Sequence, residues 1–332
     1  MADQTHIQWT DATWNPITGC SVVSAGCKNC YAMRLAGGRL RNHPSRIGLT
    51  RVTGAGRVWT GEVRLNEAWL DQPLRWRRPR RIFVCAHGDL FHPEVPDEWI
   101  DYVFAVMALG MQHTYQVLTK RPKRALAYFA ARDSHLGMTR CFRNFRGYER
   151  PVGPWPLPNV WLGVSVEDQD TANERIPPLL ETPAALRFVS AEPLLGPVDL
   201  TEIRVSESCY EDALGDGEWS GHPREEWPPG IDWVIVGGES GRGARPCEVR
   251  WIREIVRQCR EARVPCFVKQ LGHHPIVPLH ELRSTAYAEK KFVLDESAAL
   301  AGPRLILRAR AGSDPAEWPD DLAVREFPPC QP

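Results

Sequence analysis

Six short β-branched or aromatic runs, each ending abruptly in polar residues, set the strongest limit on what this chain folds into. They are Ile82–Cys85, Tyr115–Leu118, Val160–Val164, Leu186–Val189, Trp233–Val236 and Pro265–Val268. Each has the length and sharp bounds of a buried strand. Their starts lie about 26 to 47 residues apart, which leaves room for a crossover helix between parallel strands. The intervals read as helices over Asp97–Leu109, Pro122–Ala131, Asp170–Ile176 and Arg250–Ala262. Alternating strand and helix predicts an α/β protein with a parallel sheet, either a (β/α) barrel or part of one.

The residues after the runs carry the chemistry. They are His87, Gly88 and Asp89; Thr119, Lys120 and Arg121; Ser165 and Glu167; Ser190 and Glu192; Gly237 to Ser240; and Lys269 and Gln270. In a parallel barrel such ends meet on one rim, where active sites are built. A single polar strand end only meets solvent, but six of them favour a lined site. Asp89, His92, Glu167, Glu192 and Lys269 are candidates for acid/base groups, cofactor contacts or substrate anchors. For any one of them taken alone, a structural hydrogen bond is the favoured role.

Two basic clusters, Arg75–Arg81 and Lys120–Arg124, match phosphate contact, and Trp76 adds an aromatic surface. The first precedes its strand and belongs on the far rim, so Lys120 and Arg121 are the better substrate-binding candidates. The loop Gly237–Pro246 allows close backbone approach to a ligand, with Arg242 and Arg245 placed to bind a carboxylate or phosphate. A tight surface turn explains it equally well.

Of 332 residues, 41 are Lys or Arg and 41 are Asp or Glu, which argues against a wholly electrostatic nucleic-acid binder but not against a local basic face. Residues 206–230 hold seven acidic residues and one Arg and read as a mobile surface loop. Residues 132–158 read as a second insertion, and 273–332 as a C-terminal extension of a barrel spanning 1–272. The amino end has no signal-peptide pattern, and Val103–Met111 is too short to span a bilayer. A cytoplasmic protein without membrane association is expected. There, ten cysteines do not predict a disulfide framework.

Three of those cysteines cluster. Cys20-x6-Cys27-x2-Cys30, flanked by Gly19 and Gly26, places three soft donors on one short loop. Structural zinc wants four ligands, and the fourth would come from Cys85, His87 or His113. An iron–sulfur cluster is held by thiolates, and three of them on a four-iron cube leave one iron open for substrate.

A three-cysteine loop after the first strand of an α/β barrel resembles the radical S-adenosylmethionine (SAM) superfamily, with x6 here where the superfamily usually has x3. More closely, the chain resembles a phage- and bacterium-borne family of unassigned function. The shared phrases are WNPITGC, GCKNCYA, PLRWRRPRRIFV, DLFHPEVPDEWI, VLTKRPKR, NVWLGVSVEDQDTANERI, LRFVSAEPLLGP, DWVIVGGESGRGARPC and PCFVKQLG, spread over residues 8–272. The resemblance implies a TIM-barrel-like fold of the radical SAM type, with Cys20, Cys27 and Cys30 holding a [4Fe-4S] cluster whose open iron takes SAM. Reduction would then give a 5′-deoxyadenosyl radical that abstracts hydrogen from substrate.

An electron donor is implied as a partner. Asp89, Glu167, Glu192 and Lys269 become the catalytic candidates. The superfamily's Gly-Gly-Glu near its second strand is missing at Cys85–Asp89, whereas Gly237-Gly238-Glu239, with Ser240 and Ser165, resembles its adenosine-binding strand. The expected function is a radical-SAM-like enzyme acting on nucleic acid or a nucleotide-derived substrate. The alternatives are a zinc-stabilised noncatalytic nucleic-acid-binding protein and a SAM-independent iron–sulfur redox protein.

Overall fold

A computed structural model describes residues 5–54, 56–131, 154–215, 230–277, 293–295, 304–309 and 311–329. Cys141 and Cys330, most of the 132–158 insertion and residues 216–229 of the acidic insertion lie outside them. The protein is mixed α/β. Its main sheet has seven strands: β1 (Ala12–Trp14), β2 (Arg81–Val84), β3 (Thr114–Thr119), β4 (Val160–Val166), β5 (Leu186–Ala191), β6 (Trp233–Gly237) and β7 (Cys266–Gln270). They lie in the order β1-β2-β3-β4-β5-β6-β7, and every registered pair is parallel. Spatial order that follows chain order is single winding, as in a complete or partial (β/α) barrel; a doubly wound sheet reverses at a switch point.

The chain divides into two compact units, Met1–Val164 with Pro178–Arg187, and Ser165–Pro177 with Phe188–Pro332. In the first, α2 (Asp97–Leu109) starts after Pro96, and Asp97 and Glu98 sit at its positive end. Its buried Ile100, Val103, Phe104 and Met107 form one apolar stripe. α3 (Pro122–Ala130) buries Ala125, Tyr128 and Phe129. Phe104 packs edge-on against Phe129 at 5.4 Å and stacks on Tyr128 at 5.8 Å between ring centroids. Each such buried aromatic contributes about 1.5–3 kcal/mol through the area it removes from water.

In the second unit all of β6 is buried, and α5 (Val249–Ala262) lays Val249, Ile252, Ile255, Val256 and Cys259 against the interior. The C-terminal segment runs beside β7: Val268 donates to the Val324 carbonyl, and Glu326 donates back to that of Cys266. Phe327 then packs on Trp233 and Phe267 at 5.5 and 5.2 Å. The edge of β7 is therefore paired and its apolar face covered.

The strand bounds fall within two residues of those read from sequence. α4 (Gln169–Glu181) is the exception, running on through Pro177 and Pro178. Leu179 and Leu180 beyond them are buried, and that burial offsets the helix-breaking cost of proline. The acidic insertion is not loop throughout, since Ile203–Arg204 pairs with Tyr210–Glu211. Among the described residues no helix is long and apolar enough to cross a membrane, and the eight described cysteines are free thiols.

Candidate metal centre

After β1, Ile17–Thr18 pairs with Arg64–Leu65, and the side-chain amide of Asn66 donates to the Asn15 and Pro16 carbonyls. This fixes the root of the cysteine loop. Gly19 follows at φ +101°, bonded through its N–H to the His87 carbonyl. A Cβ there would lie 2.2 Å from the Glu62 carbonyl oxygen, so only glycine fits. We expect Gly19→Ala to cost about 3 kcal/mol or more, from positive φ plus a backbone clash, measured as a lower urea midpoint. An unchanged midpoint would remove Gly19 as the loop's anchor.

A 3₁₀ turn, Ala25–Cys27, carries the second cysteine, and the third caps the seven-residue helix α1 (Tyr31–Gly37). The Cys30 N–H donates to the Cys27 carbonyl at 3.2 Å. Cys20 and Cys30 pack against Ala32, Met33, Ala36, Leu49 and Trp59. Burial pushes the Cys20 thiol up to about 12, with Asp89 adding to the shift and Arg121 opposing it. Burial also raises Cys30, with a further rise from Cys27.

Residues following β2 and β3 close on this loop. Asp89 accepts on Oδ1 from the Phe91 N–H and the Thr119 hydroxyl, and on Oδ2 from the Lys120 N–H and from Arg121 at 2.7 Å. Arg121 also reaches Cys20 Sγ at 3.6 Å, the Ser21 carbonyl at 3.1 Å and Ser21 Oγ at 2.9 Å. Both charged side chains are buried, 8 % exposed for Arg121 and 7 % for Asp89. Asp89 and Arg121, expected to be a catalytic group and a substrate contact, form a buried ion pair that braces Cys20 and Ser21.

Ser21 Oγ lies 2.8 Å from His92 Nε2, a spacing that invites a hydrolase reading. His92 Nδ1, however, accepts the Glu94 N–H. In the neutral ring the proton then sits on Nε2, which donates to Ser21 and cannot take its proton. The pair is positional, not a nucleophile and its base.

Of the three candidates for a fourth zinc ligand, two make hydrogen bonds through one ring nitrogen and the third is a buried thiol. Nδ1 of His87 lies 2.6 Å from the Arg46 guanidinium. Nε2 of His113 bonds the Pro73 carbonyl at 3.0 Å. Cys85 is buried at φ +56°. Thiolates on one zinc ion, at about 2.3 Å each, must lie within about 4 Å of one another. Among the described residues no three His, Cys, Asp or Glu side chains are grouped to hold a metal ion. A multi-iron cluster spreads its ligands over several metals, so its cysteines need not meet at one point. The donor set, three thiols on one loop beside a buried cation, is of the kind that holds an iron–sulfur cluster.

Burial, with Arg46 and Arg39 nearby, pushes His87 down to about 4; burial also lowers His92 and His113. Folded histidines that resist protonation leave the unfolded chain binding more protons below its ordinary pKa of about 6.5. Stability is therefore complete above about pH 6.5 and falls as the pH drops toward 4, with about 2 kcal/mol expected from His87 after allowance for its partial exposure. Urea titrations across that range check this, and His87→Gln should flatten the slope; an unchanged slope would contradict the assignment.

The other expected site residues lie in the second unit. Glu167 is fully buried, 3.2 Å from Arg175, which also donates to the Ser165 carbonyl at 2.7 Å. Lys269 pairs with Glu192 at 3.1 Å. A Cβ on Gly237 would lie 2.9 Å from the Gln270 carbonyl and from Glu192 Oε1, and one on Gly238 2.4 Å from the Leu271 carbonyl. The space these two glycines free is thus filled by the chain's own residues, not left to a ligand. Arg245 is not an open anion site either, because it holds both oxygens of buried Glu239 at 2.7–3.0 Å. Ser240 and Arg242 are exposed.

The structure thus brings Cys20, Cys27, Cys30, Asp89, Lys120 and Arg121 into one region of the first unit, with Lys120 close enough to affect Cys30. Sequence reasoning missed Ser21 and Arg46, since neither carries a local signal of its long-range partner. Trp76, read as a stacking surface, is buried, and Arg75 and Arg81 beside it pair with Asp71 and Asp11. No curated protein and no solved structure matches the chain significantly. The model of one family, described as a protein of unknown function (DUF5131), matches residues 4–297, and the chain belongs to that family.

Proposed function

We propose that this protein is a radical-SAM-like iron–sulfur enzyme on a partial (β/α) barrel of the radical SAM type, acting in the cytoplasm on nucleic acid or a nucleotide-derived substrate. The observation that carries the reading is the meeting of the three-cysteine loop with Arg121 at 3.6 Å from Cys20 Sγ. These groups follow β1 and β3, and Asp89 follows β2, so all lie past the carboxyl ends of adjacent parallel strands, where α/β proteins place their ligands.

In this reading Cys20, Cys27 and Cys30 hold a [4Fe-4S] cluster. When bound, that group would supply the one electron that cleaves SAM to methionine and a 5′-deoxyadenosyl radical able to take a hydrogen atom from substrate. The chain's own residues do the rest. Three thiolates outweigh the positive charge of the cube, and buried Arg121 offsets the excess. Asp89 holds Arg121 in place, and Ser21 is fixed between Arg121 and His92 so that the loop keeps one conformation. An external electron donor is required.

The test is anaerobic reconstitution followed by SAM and a strong reductant. The reading predicts 5′-deoxyadenosine and methionine in equal amounts. An iron-loaded protein that leaves SAM intact would instead be a SAM-independent redox protein.

A further inference from the structure

Between Cys20 and Leu65 the chain carries eight Arg or Lys residues and one carboxylate, Glu62, although the whole chain is neutral. Six of the cations are exposed: Lys28, Arg34, Arg39, Arg41, Arg51 and Arg57. They sit on one small assembly, in which α1 and the hairpin Thr50–Thr53 with Gly56–Trp59 share the core of Ala32, Met33, Ala36, Leu49 and Trp59. The Arg57 stem packs on α1 so closely that a Cβ on Gly37 would lie 2.4 Å from it. The hairpin register sets Arg57 opposite Val52, which is 70 % exposed. Tyr31, next to Cys30, is half exposed while its hydroxyl donates to the Ala86 carbonyl and its edge meets His87.

We infer that this assembly is a docking surface for a single-stranded nucleic acid, which it presents to the cysteine loop. Five of the six exposed cations are arginines, whose planar forks match phosphate oxygens two at a time. With one carboxylate in the segment, internal pairing does not cancel them. A fixed aromatic face and isolated apolar side chains among cations suit stacked bases. α1 offers no amphipathic face to insert into a membrane, because its buried positions are spent on the core, and the exposed Val22, Val23, Ile47 and Val52 lie in the loops and hairpin around it. The inference rests on the proposed function for the reaction, and narrows its substrate from a nucleotide derivative to a polymer. Binding itself needs no cluster.

The experiment uses the full chain and labelled 20-nucleotide single strands, followed by anisotropy across a salt series. A matching duplex, polyglutamate and phosphatidylserine vesicles serve as competing probes. Wild type should bind single strands with an affinity that falls with salt. The variant R39Q/R41Q/R51Q/R57Q should bind at least about tenfold more weakly at 0.1 M salt, with a salt slope shallower by about 3. R77Q/R78Q, at an exposed basic pair elsewhere, should stay within about twofold of wild type. If the fourfold variant does not fold, R39Q/R41Q alone should show about half the change in slope. Unchanged binding in folded variants, no binding by wild type, or equal binding of duplex, vesicles or polyglutamate would each overturn the inference. Binding that survives in Cys27→Ala, with or without iron, separates this surface from the cluster assignment.

Discussion

Replacing Cys27 with alanine is expected to leave anaerobically reconstituted protein nearly free of iron, against about four irons per chain in wild type. Cys27 is buried, ends the 3₁₀ turn and accepts from Cys30 through its carbonyl, so it fixes the distance between the second and third sulfurs. The substitution keeps that backbone and removes only the sulfur, so a stability change within about 1 kcal/mol is expected. Lost iron then reports lost ligation, not unfolding. Cys247→Ala, at a buried cysteine of the second unit, should keep its iron. Full iron content in Cys27→Ala would refute the ligand assignment.

The second large effect falls on stability. Asp89→Ala strands the Arg121 guanidinium, a buried charge without its carboxylate, and leaves the Thr119 hydroxyl and two backbone N–H groups without their acceptor. Breaking one side of a buried ion pair costs about 3–5 kcal/mol, which in a chain of this size lowers Tm by roughly 4–7 °C. Arg121 would also lose its hold on Ser21, so reconstituted iron should fall while the three cysteines remain. Arg121→Lys should lose less stability than Asp89→Ala but still perturb the cluster's spectrum, since one ammonium cannot span Asp89, Cys20 and Ser21 together. A cost under 1 kcal/mol for Asp89→Ala would show that the pair does not brace the loop.

Much of the sheet was legible because buried parallel strands read as bounded apolar runs, and Pro96 and Pro122 mark helix starts. β1 was not among those runs: Ala12–Trp14 is three residues long, too short for periodicity, and only its burial beside β2 makes it a strand. The end of α4 was missed because two prolines stop a helix locally, while the burial of Leu179 and Leu180 is a tertiary effect. In the site, the cysteines announced themselves by spacing. The partners of Asp89 and Arg121 did not, since Arg121 meets Ser21 across 100 residues.

The basic surface shows the same limit. Arg75–Arg81 draws the eye as a run, yet Trp76 is buried and two of its arginines are paired. The exposed cations from Lys28 to Arg57 are spaced too widely to look like a cluster. Only the fold of α1 and its hairpin gathers them.

Iron and sulfide analysis of the anaerobically reconstituted wild-type chain, read with the electron paramagnetic resonance spectrum of its reduced form, tests the central claim most directly. About four irons per chain and a signal that changes when SAM is added are the predicted result. A colourless protein holding one zinc ion, or a spectrum indifferent to SAM, would contradict it.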